Sequence, residues 1–290
     1  MKHGLILEGG AMRGLFTAGV IDVLMEHNIS FDGMIGVSAG AVFGCNYKSC
    51  QPGRVLRYNL ANCKNPKYCS IRSLIRTGNM FGVDFCYREL PDKLDLFDNQ
   101  RFADNPMEFY AVATDINTGK AVYHRCDAIT PQTMEWFRAS ASMPLAATIV
   151  SVDGMDLLDG GIADSIPIRY FESIGYERNL IVLTQPRSYQ KHPASMQGLM
   201  KLRYKSYPKL LEAMASRHLD YNASKDWIAK QEKAGSVLVI APDTSLPIGR
   251  IEHDPTKIQE TYNLGRRAAE KQLENIKGFL RTETGPSVTE

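Results

Sequence analysis

The stretch "IGVSAGAV", residues 35–42, places a serine between glycines two positions to either side, directly after an apolar run. Gly36, Ser38 and Gly40 fill the pattern G-x-S-x-G. Small residues there let the backbone turn sharply from strand to helix, so that the hydroxyl projects above a sheet at the positive end of the next helix. The flanks agree: "FDGMIGV" (31–37) suits a short strand, and Ala39 to Tyr47 suits a helix that starts on small residues. Ser38 is thus a candidate nucleophile. The plainer alternative is a strand–helix turn that carries a structural serine.

Upstream, "HGLILE" (3–8) reads as a buried strand that runs into Gly9 and Gly10, and Leu15, Phe16, Val20, Val23 and Leu24 recur at helical spacing. This β-α-β-α opening predicts a mostly parallel sheet covered on both faces, a three-layer α/β/α fold. Residues 46–101 lack a clean period and predict short helices and loops, a candidate cover over a site. "MEFYAVATDI" (107–116), "AVYH" (121–124), the end of "MDLLDGG" (155–161), "NLIVLTQP" (179–186) and "SVLVIAP" (236–242) read as strands. "PQTMEWFRASAS" (131–142) opens with Pro, as helices often do. After Pro186 the character changes. Residues 194–233 are largely helical in pattern, 255–280 form a closing amphipathic helix with a weak point at Gly265, and the tail "RTETGPSVTE" is expected to fray. The division read from this is 1–186 and a mainly helical 187–290 packed on it.

With 290 residues the chain can bury a large core, and 44% hydrophobic with 23% charged residues is ordinary for a globular protein. A net charge of +2 is too mild to point to nucleic acid. No apolar run approaches the roughly 18 residues needed to cross a bilayer. The N-terminus lacks a signal-peptide core, so a cytoplasmic location is expected. The six cysteines form no C-x-x-C pair and no zinc spacing, so they are read as reduced thiols, and no metal site is assigned.

Acyl transfer to Ser38 would need oxyanion donors and a proton acceptor. "EGGAMRG" (8–14) offers backbone N–H groups with little side-chain obstruction. A phosphate loop is the rival reading, but neither G-x-G-x-x-G nor G-K-[ST] is present. Arg13 adds a positive charge suited to an oxyanion or a lipid phosphate, or to a surface ion pair. For the acceptor, His192, His218 and His253 lie late enough for a Ser-His-Asp triad, with His253 in "IEHDP" the best placed of them. Asp159, at the end of an apolar strand before two glycines, could instead accept the proton directly, or simply be a turn-forming residue. The residues alone leave that choice open.

Three blocks in order, Gly9-Gly10-Ala11-Met12-Arg13-Gly14, Gly36-Val37-Ser38-Ala39-Gly40 and Asp159-Gly160-Gly161, resemble the patatin-like phospholipases. "VATDINTG" (112–119) and "ASASMPLAATIV" (139–150), with its central Pro144, resemble further family segments. The resemblance covers about residues 3–186 and is nearest to the bacterial cytoplasmic branch with an added helical C-terminal region. It implies a patatin-like fold and a Ser-Asp dyad: Ser38 as nucleophile, Asp159 as general base, and amides around Gly9, Gly10 and Ala11 as the oxyanion hole. Arg13 would match the family's basic position beside that hole. Ala11 departs from the family's third glycine, which matters if the position needs a positive φ.

The expected function is a serine acyl hydrolase that cleaves fatty-acyl esters of phospholipids, lysophospholipids or related lipids, with no cofactor. An acyltransferase using the same dyad and a non-catalytic lipid-binding protein are the alternatives. The basic, tyrosine-bearing stretch 189–217 suits either a solvated helix face or peripheral contact with an anionic inner membrane surface.

Overall fold

The computed structural model describes residues 1–194 and 197–281. The chain runs β1 (Lys2–Leu7), α1 (Gly14–Glu26), β2 (Gly33–Val37), α2 (Ala39–Lys48), α3 (Arg54–Asn62) and α4 (Ile71–Thr77). A π-helix (Phe85–Leu94) and α5 (Asn99–Asp104) lead to β3 (Glu108–Asp115), β4 (Ala121–Arg125) and α6 (Pro131–Ser140). Next come β5 (Val150–Val152), β6 (Met155–Asp159), α7 (Ile168–Ser173) and β7 (Tyr176–Val182). The remainder holds α8 (Gln197–Arg203), α9 (Pro208–Lys233), β8 (Val237–Ile240), α10 (Pro255–Lys271) and α11 (Leu273–Arg281).

The strands form one sheet in the order β5-β6-β3-β2-β1-β7-β8, with β4 also paired to β3. β3, β2, β1, β7 and β8 are parallel, while β4, β5 and β6 form an antiparallel margin. Side chains alternate across the central strands, as a two-residue period requires. Leu5, Leu7 and Met34 pack with Leu15, Phe16, Phe43 and Tyr262, and thus with α1, α2 and α10. Ile6, Ile35 and Val37 pack on the other face with Phe171, Tyr221 and Ile228, and thus with α7 and α9. Each such buried side chain contributes about 1.5–3 kcal/mol. The result is the expected three-layer α/β/α arrangement with C-terminal helices.

Register alone brings the two candidate residues together. Val37, the last residue of β2, lies opposite Val112 of β3, and Asp159, the last residue of β6, lies opposite the next residue, Ala113. β4 pairs with both Val112 and Ala113, so it occupies the other edge of β3. β2 and β6 therefore follow one another along a single edge, and their ends meet where Ser38 begins.

Several details differ from the sequence reading. Gly265 is buried inside an unbroken α10, and a Cβ there would overlap the Phe16 carbonyl oxygen, so this glycine permits close packing on α1. The helix breaks at Gln272 instead. Residues 194–233 divide into two helices, the second beginning at Pro208. A short strand, β5, emerges at 150–152, where none was expected. Residues 195–196 lie outside the described residues, and so does the tail expected to fray over 281–290 apart from Arg281, which closes α11. All six cysteines are free thiols, and burial pushes Cys45 and Cys126 up to about 12. No helix among the described residues is long and apolar enough to cross a membrane.

Candidate active site

Ser38 occupies the turn between β2 and α2 with φ 56 and ψ −122, a region costly for a residue with a Cβ. The surroundings hold it there. A Cβ at Gly36 would overlap the Gly40 carbonyl, and one at Gly40 would overlap the Leu7 carbonyl, so both glycines are required for strand and helix to approach this closely. The Ser38 N–H donates to Ser140 Oγ at 2.9 Å, a buried bond. Ser38 itself is buried apart from its face on two cavities.

Asp159 closes β6, and its N–H donates to the Ser142 carbonyl at 2.9 Å. One short segment, residues 140–142, thus anchors both Ser38 and Asp159. Asp159 Oδ1 accepts the Gly161 N–H at 2.8 Å, so it is the turn-forming residue weighed above while also facing Ser38. Burial raises its pKa above the usual 3.8, and the nearby Ser38 hydroxyl, Arg217, the Gly161 N–H and Arg250 oppose that rise. Ser38 and Asp159 line one small cavity of about 110 Å³.

The loop after β1 forms another wall of that cavity through Gly9, Gly10 and Ala11. A Cβ at Gly9 would lie 2.8 Å from the Val37 oxygen and 3.0 Å from Ser38 Cβ, so only glycine fits beside the serine. The loop is held by its carbonyls: Gly9 O accepts from Thr184 Oγ1 at 2.9 Å, and Gly10 O from the Arg13 N–H at 3.1 Å. The N–H groups of Gly9, Gly10 and Ala11 have no acceptor among the described residues. Ala11 has φ 49, so the position that departs from the family's glycine does adopt the left-handed conformation. Glu8, which sequence reading passed over, is buried and accepts from the Thr184 N–H at 2.6 Å and the Tyr221 hydroxyl at 2.8 Å.

Arg13 lines the same cavity, and so do Lys191, Arg217 and Arg250. Lys191 and Arg217 belong to the basic stretch that could be read as a solvated helix face, but both are half-buried here. Arg217 Nε donates to the Gly161 carbonyl, and Lys191 Nζ lies 4.2 Å from the Tyr221 ring centroid. Burial lowers the pKa of Arg13, of Arg217 and of Lys191, the last to about 7. His253 is engaged elsewhere: its Nδ1 is paired with the Cys63 carbonyl at 2.6 Å, and it lines neither cavity at Ser38. His192 and His218 line neither as well.

A second cavity, about 710 Å³, opens on the other side of Ser38. Its walls are mainly apolar, including Val42, Phe43, Tyr58, Phe81, Leu90 and Phe137. Residues 46–101 supply much of that wall through α3, the π-helix and their loops, as the expected cover. Ala11, Ser38 and Met143 line both cavities, so the serine sits where an apolar chamber meets a charged one.

A family model described as patatin-like phospholipase matches residues 5–172, more than half of the chain. The chain belongs to the patatin-like phospholipase family. A second model, a domain of unknown function (DUF6363), matches residues 207–281. Among curated relatives, the uncharacterized protein YjjU of Escherichia coli K12 is 27% identical over 303 residues, which is 98% of this chain and 80% of YjjU. Lysophospholipase nte1 of Aspergillus niger is 26% identical over 297 residues, 94% of this chain and 18% of that protein. The chain thus spans under a fifth of that larger relative. A crystal structure of VipD from Legionella pneumophila aligns at 13% identity and a TM-score of 0.49, covering 94% of this chain and 67% of VipD.

Proposed function

We propose that this patatin-like protein is a serine lipid acyl hydrolase in which Ser38 and Asp159 act as a dyad. What carries the reading is that Ser38 and the buried Asp159 line one small polar cavity at its junction with an apolar one. The apolar chamber takes the acyl chain, and its volume falls within the range of about 300–1,000 Å³ usual for ligand pockets. Ser38 Oγ attacks the ester carbonyl carbon while its proton passes to Asp159. The three unpartnered N–H groups of Gly9, Gly10 and Ala11 receive the oxyanion. The tetrahedral species expels the alcohol oxygen, which takes the proton back from Asp159, leaving an acyl-serine. Water then attacks that ester, Asp159 accepts its proton, and collapse returns the proton to Ser38 as the fatty acid leaves.

Carboxylates are weak bases, with an ordinary pKa near 3.9, so burial that raises Asp159 improves its match to the task. Nearby Arg217 opposes that rise and favours the ionised form. The test is hydrolysis of a total lipid extract followed by mass spectrometry of the products. Wild-type protein should release free fatty acid, and Ser38→Ala should release none. Transfer of the acyl group to an added alcohol in preference to water would favour the acyltransferase alternative.

Access to lipid is proposed to be peripheral, at the anionic inner leaflet. Leu199 and Leu202 on α8 are 47% and 70% exposed and sit beside exposed Lys201, Arg203 and Lys205. Such cations contribute about 1 kcal/mol each near an anionic surface. Vesicles containing anionic lipid should co-sediment the protein at low salt and release it at high salt. Binding that ignores salt and lipid charge would remove this part of the proposal.

A further inference from the structure

The charged side chains lining the small cavity are Glu8, Arg13, Asp159, Lys191, Arg217 and Arg250: four cations against two carboxylates. Both carboxylates already accept hydrogen bonds, Glu8 from Thr184 and Tyr221, and Asp159 from Gly161. None of the four cations forms an ion pair among the described residues. Arg13 Nε is buried and has no hydrogen-bond partner there. Arg250 is exposed and Arg13, Lys191 and Arg217 are half-buried, and like charges gathered around one small cavity repel one another unless an anion joins them. Three of the four, Lys191, Arg217 and Arg250, lie outside residues 5–172, so the cluster is built largely by the part of the chain beyond the family's shared region.

We propose that this cluster binds the phosphate of the substrate lipid, and selects acyl esters whose phosphate carries no compensating cation. The inference rests on the proposed hydrolase reading, because Ser38 joins the two cavities: with the acyl chain in the apolar chamber, the polar end of the same molecule enters the cationic one. Three arginines, with a lysine that burial brings to about 7, outweigh the two carboxylates, which suits a phosphate monoester anion. Guanidinium groups offer planar paired donors to phosphate oxygens, and Lys191 adds a point charge. A choline ammonium would instead be brought against four cations.

The experiment compares kcat/KM for lysophosphatidic acid, lysophosphatidylcholine and monoacylglycerol of one acyl chain, using the full-length protein. In the wild type, the phosphomonoester should exceed both others by at least tenfold. In Arg250→Gln and Lys191→Gln, the ratio of phosphomonoester to monoacylglycerol should fall at least tenfold, and Arg250→Lys should recover part of it. Thermal melting checks that each variant folds, and the wild-type preference decides the matter even if one does not. A wild-type ratio near one overturns the inference while leaving the hydrolase intact, whereas no hydrolysis of any of the three, with or without phosphate, is the failure of the hydrolase reading itself. Free phosphate is the other source of the same chemistry. Calorimetry with inorganic phosphate on the wild type and on Arg250→Gln separates it: binding lost in the variant, with unchanged lipid ratios, would assign the site to free phosphate and overturn the head-group proposal.

Discussion

Asp22 offers a stability test whose size can be worked from the structure. It lies in α1, is almost completely buried, and its Oδ2 accepts both the Tyr262 hydroxyl at 2.7 Å and the Gly53 N–H at 2.8 Å. Its Oδ1 is buried without a partner among the described residues. Burial outweighs both hydrogen bonds, and the Glu26 charge adds to the rise while Arg266 opposes it, so the carboxyl is pushed from 3.8 to about 6. A folded-state pKa above the unfolded one means stability is fully present below pH 3.8 and is lost as pH rises through about 6. At about 1.36 kcal/mol per pH unit, that rise costs about 3 kcal/mol at neutral pH. Asp22→Asn removes the charge while its amide oxygen can accept the same two bonds. The variant should be the more stable form at pH 8, and its advantage should widen by about 2 kcal/mol between about pH 4.5 and 8. Urea denaturation of both proteins at the two pH values measures this. An advantage that does not change with pH, or a variant less stable at every pH, would refute the reasoning.

Further tests concern the site and its supports. Because burial raises Asp159 and Arg250 opposes that rise, kcat/KM should fall on the acid side at a pH above 3.8, and Arg250→Gln should move that limb to higher pH; a limb unmoved or moved lower would contradict the assignment. Ala11→Gly relieves a left-handed alanine that costs about 1–2 kcal/mol and gives back about 0.4–1 kcal/mol of chain entropy. A net gain of about 0.5–1 kcal/mol in denaturation, with activity kept, is expected, and a loss of stability would argue against the positive φ. Gly265→Ala would gain about 1 kcal/mol in an exposed helix, but here its methyl group meets the Phe16 backbone and should cost about 1–3 kcal/mol instead. A stabilised variant would mean that α1 and α10 do not pack this closely.

How much of this was legible in the sequence depends on whether the requirement was local. The turn at Ser38 is readable because Gly36 answers to backbone crowding only four residues away, at Gly40, although Gly40 itself answers to Leu7 on the neighbouring strand. Asp159 was half readable: the same carboxylate that caps Gly161 also faces Ser38, so its turn chemistry concealed its second partner. Ser140 and Ser142 appeared only as small residues in "ASAS", since their bonds to the elbow and to β6 depend on how α6 ends beside the sheet. Lys191 and Arg217 read as members of a solvated basic face, because neither the loop that carries Lys191 nor α9's own sequence reveals that both side chains line the cavity at Ser38. Arg250 stands in a loop with no periodicity at all. Gly265 resembled a helix breaker for the same reason, as the backbone it accommodates lies almost 250 residues earlier, at Phe16.

The most direct measurement is the rate and position of labelling by a fluorophosphonate probe, read by peptide mass spectrometry. The wild type should be modified at Ser38 alone, Ser38→Ala should not react, and Asp159→Asn should react about 10²–10⁴-fold more slowly while melting as a folded protein. Modification of another residue, or undiminished labelling of Asp159→Asn, would contradict a serine whose proton is taken by that carboxylate.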